Sequence, residues 1–406
     1  MSKIYNEIDT WEDGTAKNIT FIVTKDCQLA CKYCYLVGKN SQERMSWDIA
    51  KAAIDYILDQ EFTEKSVIWD FIGGEPFLEI DLIDRICDYL KIEMYRRNHH
   101  WFNSYRFSFS TNGINYHTAK VQQFIKKNRE HLSIGITIDG TETKHNLNRI
   151  YRYSVDGKEH GSYLDVLKNI PLWLKQFPNA GTKVTISSAD IPYISESVLH
   201  LYSLGIHEVN INVVFENVWQ DGDEIIFEEE LMKLADAIIE RGFYQEYACS
   251  FFVEDIGKPL DCRLQNQNWC GAGRMLSIDA AGYFYPCTRF AQYSLRDKKA
   301  WIIGNVHDGI DKNKLRSFLT LDRCTQSTQE CIDCEVAEGC AWCQGENYDA
   351  ADTPTIYQRA ISTCKMHKAR VRANNYYWNK LYRKLELEGE REEYEKNKRK
   401  SNDVIC

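Results

Sequence analysis

Proline is scarce, 7 residues in 406, and glycine supplies only 22. That is too little of either for a collagen-like or linker-rich chain. No apolar run reaches the ~18 residues of a membrane-spanning helix. A basic surplus is also missing: Lys and Arg number 50 against 59 Asp and Glu, a net charge of −9. A broad nucleic-acid-binding face is therefore excluded. Residues 1–14 are acidic and lack the apolar stretch of a secretory signal, so a cytoplasmic location is expected. What the chain does have is apolar material for a core, 44% of residues, and 15 cysteines. Cysteine is below the ~8–10% of small disulfide scaffolds. In a reducing compartment, clustered thiols point to metal or redox chemistry rather than to cross-links.

The N-terminal 250 residues alternate between two patterns. Short runs rich in β-branched and aromatic residues at 19–24, 67–72, 105–110, 133–138, 182–187 and 208–215 predict strands, most of them apolar enough to be buried. Between them, helical spacing predicts helices over 47–60, 80–96, 118–127, 163–177 and 194–204, with a further one over 228–241. Strands alternating with helices imply an α/β fold with a parallel sheet, either open or closed as a partial (β/α)6 barrel, with function at the strand C-termini. The periodicity fades near residue 255, and cysteines and glycines become dense up to Cys364. A helix follows over 366–384, then an almost wholly charged segment, 386–400, read as a solvated helix. The expected domains are thus 1–245, 246–366 and 367–406.

The first predicted strand runs into Cys27, Cys31 and Cys34, spaced Cys-x3-Cys-x2-Cys. Soft thiolates select iron–sulfur clusters, zinc or Cu(I). Zinc normally takes four ligands, and no histidine or further cysteine lies nearby. Three thiolates on a [4Fe–4S] cube leave one iron open to a ligand.

This loop, with Tyr33 before its last cysteine, resembles the signature of the radical S-adenosylmethionine (SAM) superfamily. The resemblance implies a partial (β/α)6 TIM-like barrel. It also implies a cluster on Cys27, Cys31 and Cys34 whose open iron chelates SAM, and a 5′-deoxyadenosyl radical that takes hydrogen from a substrate. Tyr33 would lie near the adenine. Gly73-Gly74-Glu75-Pro76 resembles the family motif that holds the SAM amino group; its glycines would let backbone approach the ligand. Thr111 and Asn112 after the third strand, and Thr137 and Asp139 at the fourth, offer small polar groups for ribose and carboxylate. The family often has Ser at the place of Thr137, which keeps the hydroxyl. Arg149 matches an arginine that pairs with the SAM carboxylate.

The later cysteines closely resemble a SPASM domain with two auxiliary clusters, which would make three [4Fe–4S] clusters in all. By that resemblance Cys270, Cys287 and Cys343 hold the first auxiliary cluster, with Cys262 as the fourth ligand. Cys331, Cys334, Cys340 and Cys364 hold the second. Only two residues separate Cys340 from Cys343, where the pattern usually has three. Cys324 is a minor competitor as ligand, Cys87 belongs to an apolar helix face, and Cys249 and Cys406 have no evident partner.

Stretches 72–76, 135–140, 213–219, 343–345 and 365–374 make the chain similar to peptide maturases associated with Cys-x-x-x repeat precursors. The resemblance implies an enzyme acting on a ribosomally made, cysteine-rich precursor peptide. Its expected product is a thioether from a peptide cysteine sulfur to a carbon of another residue. The expected electron donor is a flavodoxin or ferredoxin. Cys27 leaves no room for the N-terminal winged helix that many such enzymes carry, so leader recognition is expected on the barrel, the SPASM surface or a separate protein. The alternatives are a sulfatase-maturing enzyme that oxidises Cys or Ser to formylglycine, and a non-catalytic iron–sulfur or zinc protein that binds peptide.

Overall fold

The computed structural model describes residues 16–39, 41–154, 156–254, 256–261 and 270–396. Six parallel strands carry the N-terminal half: β1 (Lys17–Thr24), β2 (Val67–Gly73), β3 (Tyr105–Thr111), β4 (Leu132–Ile136), β5 (Thr182–Ile186) and β6 (Glu208–Val213). Helices α1 (Trp47–Leu58), α2 (Ile80–Arg96) and α3 (Ala119–Asn128) cover the outside of the first four. Then come α4 (Glu142–Asn148), α5 (Tyr163–Leu167), α6 (Ile170–Gln176), α7 (Ile194–Ser203) and α8 (Asp223–Glu240). No helix among the described residues is long and apolar enough to cross a membrane.

The strands are less uniformly buried than their composition suggests. In β2 the outward residues Val67, Trp69 and Phe71 are fully buried against the helices, whereas Asp70 faces the lumen beside Thr20. Phe71 stacks between Phe21 and Phe109, with ring centroids 5.7 and 5.1 Å away. One face of the sheet thus forms the core, and the other lines a polar lumen. A packed barrel fills its interior with branched apolar side chains; this one does not.

The backbone ladder is broken between β4 and β5, so the strands form two sheets. The Thr182 side chain spans the break. Its hydroxyl donates to the Ile136 carbonyl at 2.8 Å and accepts from the Ile138 N–H at 3.1 Å. Two backbone groups that a ladder would satisfy are satisfied there by one side chain.

Three differences from the sequence expectations concern local rules. The single helix expected over 163–177 is two, because Pro171 lies in the first turn of α6 and starts a new helix. The short helix α4 was not anticipated; seven residues are too few for periodicity to register. The cysteine-rich region is also less separate than expected. Its strand β7 (Leu276–Ile278) pairs in parallel with β1, and a hairpin partner, Tyr283–Tyr285, extends the same sheet.

The terminal helix Cys364–Glu388 packs along α8. The distinctive stretch 365–374 finds its explanation in that packing. Arg370 donates to the carbonyls of Ser250 (2.6 Å) and Phe251 (3.1 Å), and Asn374 exchanges hydrogen bonds with the backbone of Val253 at 2.9 and 2.7 Å. Arg372 pairs with Glu228 of α8.

Candidate active site

The C-terminal ends of the strands converge on a cavity of about 280 Å³. The loop after β1 supplies Cys27, Cys31, Tyr33 and Cys34 to its wall, β2 supplies Gly74 and Glu75, and β3 supplies Thr111 and Asn112. Thr137, Arg149 and residues of β5 and β6 complete it. Sequence-distant groups therefore meet because parallel strands present all their C-termini at one end.

The cysteine loop is clamped from two sides. On one, Gly74 donates to the Thr24 carbonyl (3.0 Å) and Glu75 to that of Asp26 (2.8 Å). A Cβ on Gly74 would lie 2.3 Å from the Asp26 oxygen, and one on Gly73 would lie 2.3 Å from that of Thr24. The glycines thus let the β2 end approach the loop backbone, where approach to a ligand was expected. On the other side Ala30 and Lys32 donate to the carbonyls of Ile150 and Asn148, at 2.8 and 3.0 Å.

Glu75 is buried and accepts from the Thr111 hydroxyl (2.6 Å), the Asn112 N–H (2.7 Å) and the Phe77 N–H (3.1 Å). Burial raises its pKa; these donors oppose the rise. A carboxylate has about four lone-pair sites, which leaves capacity for a ligand ammonium. Asn112 turns its amide toward Gln28 (3.1 Å) and the Cys27 sulfur (3.9 Å). Pro76 starts the short turn that follows and is buried away from the cavity wall.

Arg149 caps the C-terminus of α4. That helix is anchored by a fully buried ion pair, Lys144 to Asp190 at 3.0 Å, and by His145, which accepts from the Asp139 N–H at 3.2 Å. The Arg149 guanidinium donates to the Tyr33 hydroxyl at 3.0 Å, and that hydroxyl donates to Asp139. Burial disfavours the Arg149 charge, yet Tyr33, Cys31 and Asp139 more than offset it and hold its pKa above the ordinary value. Asp139 is placed behind Tyr33 rather than on the cavity wall. Two buried atoms here have no partner, Arg149 Nε and Asp139 Oδ1. Orphaned polar atoms of this kind are costly unless a ligand meets them. Arg149 Nε, on the cavity wall, fits the carboxylate of an amino-acid moiety.

The thiols divide among three places. Cys27, Cys31 and Cys34 share the cavity. Burial pushes the Cys27 thiol up to about 12, with Glu75 adding to the rise, so only a bound metal would keep it as thiolate. Cys287 is buried and Cys270 half-buried, close to each other and to Cys343; desolvation and the Cys343 neighbour push Cys270 up to about 11. Cys331, Cys334, Cys340 and Cys364 line a second cavity, of about 460 Å³. Cys262 and Cys406 lie outside the described residues. Cys324 is disulfide-bonded and does not line the second cavity, and Cys87 is buried in α2. Among the described residues, no three His, Cys, Asp or Glu side chains converge closely enough for one metal ion.

Sequence reasoning missed Arg289. It reaches the first cavity from the cysteine-rich region, pairs with Glu216 (2.8 Å) and Glu346 (3.0 Å), and lies 4.7 Å over the Tyr35 ring. The 343–345 stretch now has a role, because Gly345 packs against Arg289 and Gln344 exchanges amide hydrogen bonds with Gln326 at 2.8 and 3.1 Å.

Several known proteins are similar to this chain. A family model described as a 4Fe-4S single cluster domain matches residues 13–154. An uncharacterized protein of Methanocaldococcus jannaschii is 27% identical over 303 residues, 74% of this chain and 91% of its own. The radical SAM cyclopropyl synthase TigE of Paramaledivibacter caminithermalis is 23% identical over 367 residues, 83% of this chain and 69% of its own. Among solved structures, anSMEcpe with bound AdoMet and Kp18Cys peptide superposes with a TM-score of 0.66 at 18% identity, covering 92% of this chain and 99% of that one. SuiB of Streptococcus suis bound to precursor peptide SuiA gives 0.53 at 14%, covering 86% and 75%.

The class follows: the chain has the radical SAM/SPASM maturase fold, an α/β barrel with a cysteine-rich C-terminal extension. Its three-thiol loop, the single-cluster match and a radical SAM relative at 23% identity support an enzyme of the radical SAM family.

Proposed function

We propose that this enzyme modifies a ribosomally made, cysteine-bearing precursor peptide, joining a peptide cysteine sulfur to a carbon of another residue. The observation that carries the reading is the shared cavity. There the three-thiol loop, Glu75 and the partly orphaned Arg149 face a wall built by Thr185, Asn212 and Phe215 of the β5 and β6 ends. Peptide complexes of two proteins with this fold, anSMEcpe and SuiB, support a peptide as the occupant.

In this reading Cys27, Cys31 and Cys34 hold a [4Fe–4S] cluster. When bound, that cluster and SAM together supply a 5′-deoxyadenosyl radical. Glu75 accepts from the SAM ammonium, Arg149 holds its carboxylate, and Asp139 anchors Arg149 through Tyr33. Thr111, Asn112 and Thr137 contact the nucleoside, and Gly73, Gly74 and Pro76 shape the turn. The polar lumen admits peptide backbone. Cys270, Cys287 and Cys343, with Cys262, hold a second cluster, and Cys331, Cys334, Cys340 and Cys364 a third. A flavodoxin or ferredoxin supplies the electron. The functional units are residues 1–245, 246–366 and 367–406.

Iron and sulfide assays on anaerobic protein should find about twelve irons per chain; about four would remove the auxiliary clusters. Mass spectrometry of a reacted peptide, with thiol alkylation, tests the product. The expected result is a loss of two hydrogens together with one alkylatable thiol. The same mass with the thiol intact would indicate a carbon–carbon bond and overturn thioether formation. A carbonyl-reactive product would favour the sulfatase-type reading, which the whole-length superposition on anSMEcpe keeps as the second choice.

A further inference from the structure

Arg289 stands where three elements meet. It follows Cys287 by two residues, and its backbone is packed against Gly345, two residues after Cys343. Its guanidinium lies over Tyr35, the neighbour of Cys34. It also borders the reaction cavity and bridges Glu216, just beyond β6, to Glu346. Glu346 in turn pairs with Arg296 at 2.6 Å, and Arg296 with Asp349 at 3.0 Å. The side chain is only 14% exposed.

A nearly buried cation costs desolvation unless it is paired. Two carboxylates provide that pairing here, but they do not explain the location. An arginine serving only to join two domains could sit anywhere on their interface. This one sits between the N-terminal cluster loop and the thiols of Cys287 and Cys343. Charge beside an iron–sulfur cluster shifts its reduction potential, because reduction adds negative charge. The shift is larger where water is excluded.

We propose that Arg289 is a positioning residue that raises the electron affinity of a cluster held by Cys270, Cys287 and Cys343, while Glu216 moderates that effect. This rests on the auxiliary-cluster reading above. It makes that auxiliary cluster the one poised to accept the single electron that an oxidative product must shed.

The test is an EPR-monitored redox titration of reconstituted holoenzyme. Arg289→Gln should move the midpoint of one auxiliary cluster to more negative potential, by more than it moves that of the N-terminal cluster. Arg289→Lys should restore most of the shift, since it keeps the charge. Glu216→Gln should move the same midpoint the opposite way. Shifts of equal sign in Arg289→Gln and Glu216→Gln would mean structural damage and overturn the proposal, as would unchanged midpoints at full iron content. Wild-type protein with iron for a single cluster would instead overturn the auxiliary-cluster reading, and this inference with it. If Arg289→Gln fails to assemble, the Glu216→Gln and Arg289→Lys titrations decide: a positive shift in the first and a near wild-type midpoint in the second support the proposal, and no shift in the first refutes it.

Discussion

A Cβ placed on Gly345 would lie 2.3 Å from the Cβ of Arg289. That is well inside van der Waals contact, and the Arg289 backbone oxygen is only 3.0 Å away. Gly345→Ala should therefore push the helix Gln344–Ala350 off the Arg289 segment. Overpacking of this kind costs about 1–3 kcal/mol. The expected result is a lower melting temperature and lost auxiliary iron, with the SAM-dependent EPR change retained. Wild-type iron content and stability would show that this contact tolerates the methyl group.

Thr182→Val should be costly although it is nearly isosteric. The substitution leaves the Ile136 carbonyl and the Ile138 N–H buried without their partner, at about 1–3 kcal/mol for each such group. Thr182→Ser keeps the hydroxyl and should recover most of the loss. Denaturant melts of the three proteins decide it, and equal midpoints would mean that the sheet break needs no bridge.

Tyr33→Phe should weaken SAM binding without removing iron. The phenol is the hydrogen-bond link between Arg149 and Asp139, and without it the guanidinium loses its anchor. A loss near 1.4 kcal/mol is tenfold in affinity, and about that is expected from titration of the reconstituted protein. Cys31→Ala is the harsher companion. It should abolish 5′-deoxyadenosine formation, and turnover surviving it would refute the cluster assignment.

Asp70 gives a pH dependence. Burial holds its carboxyl up at about 6, against 3.8 ordinarily, although Lys183 and the Ser108 and Thr20 hydroxyls oppose the shift. A raised carboxyl pKa means the native state holds the proton more tightly than the unfolded chain does. Its contribution to stability is present below pH ~4 and is lost as pH rises through ~6. Asp70→Asn should thus match the wild type near pH 4 and exceed it by about 2–3 kcal/mol at pH 8. Melts at the two values test this; a constant difference would show that Asp70 is solvated in the lumen.

Much of this was legible in the one-dimensional chain because the relevant rules are local. The six strand positions showed as short β-branched runs, and the Cys27–Cys34 spacing carried its chemistry without help from the fold. Other features had no local signal. Helix α4 is too short for periodicity, yet it places Arg149. Pro171 could have announced the split between α5 and α6, but the apolar spacing on either side masked it.

The chain alone thus determined the element order, the three-thiol loop and the existence of a second, cysteine-rich region, since each is written in residues close together in sequence. Folding decided what long-range contact alone can decide. It set Gly73 and Gly74 against the cysteine loop, tucked Asp139 behind Tyr33, and joined β7 to the edge of β1. It also carried Arg289 across to Glu216, 73 positions away. The physical reason is that a buried charge or a backbone close approach is satisfied by whatever partner the packing delivers, and sequence separation does not enter into that choice.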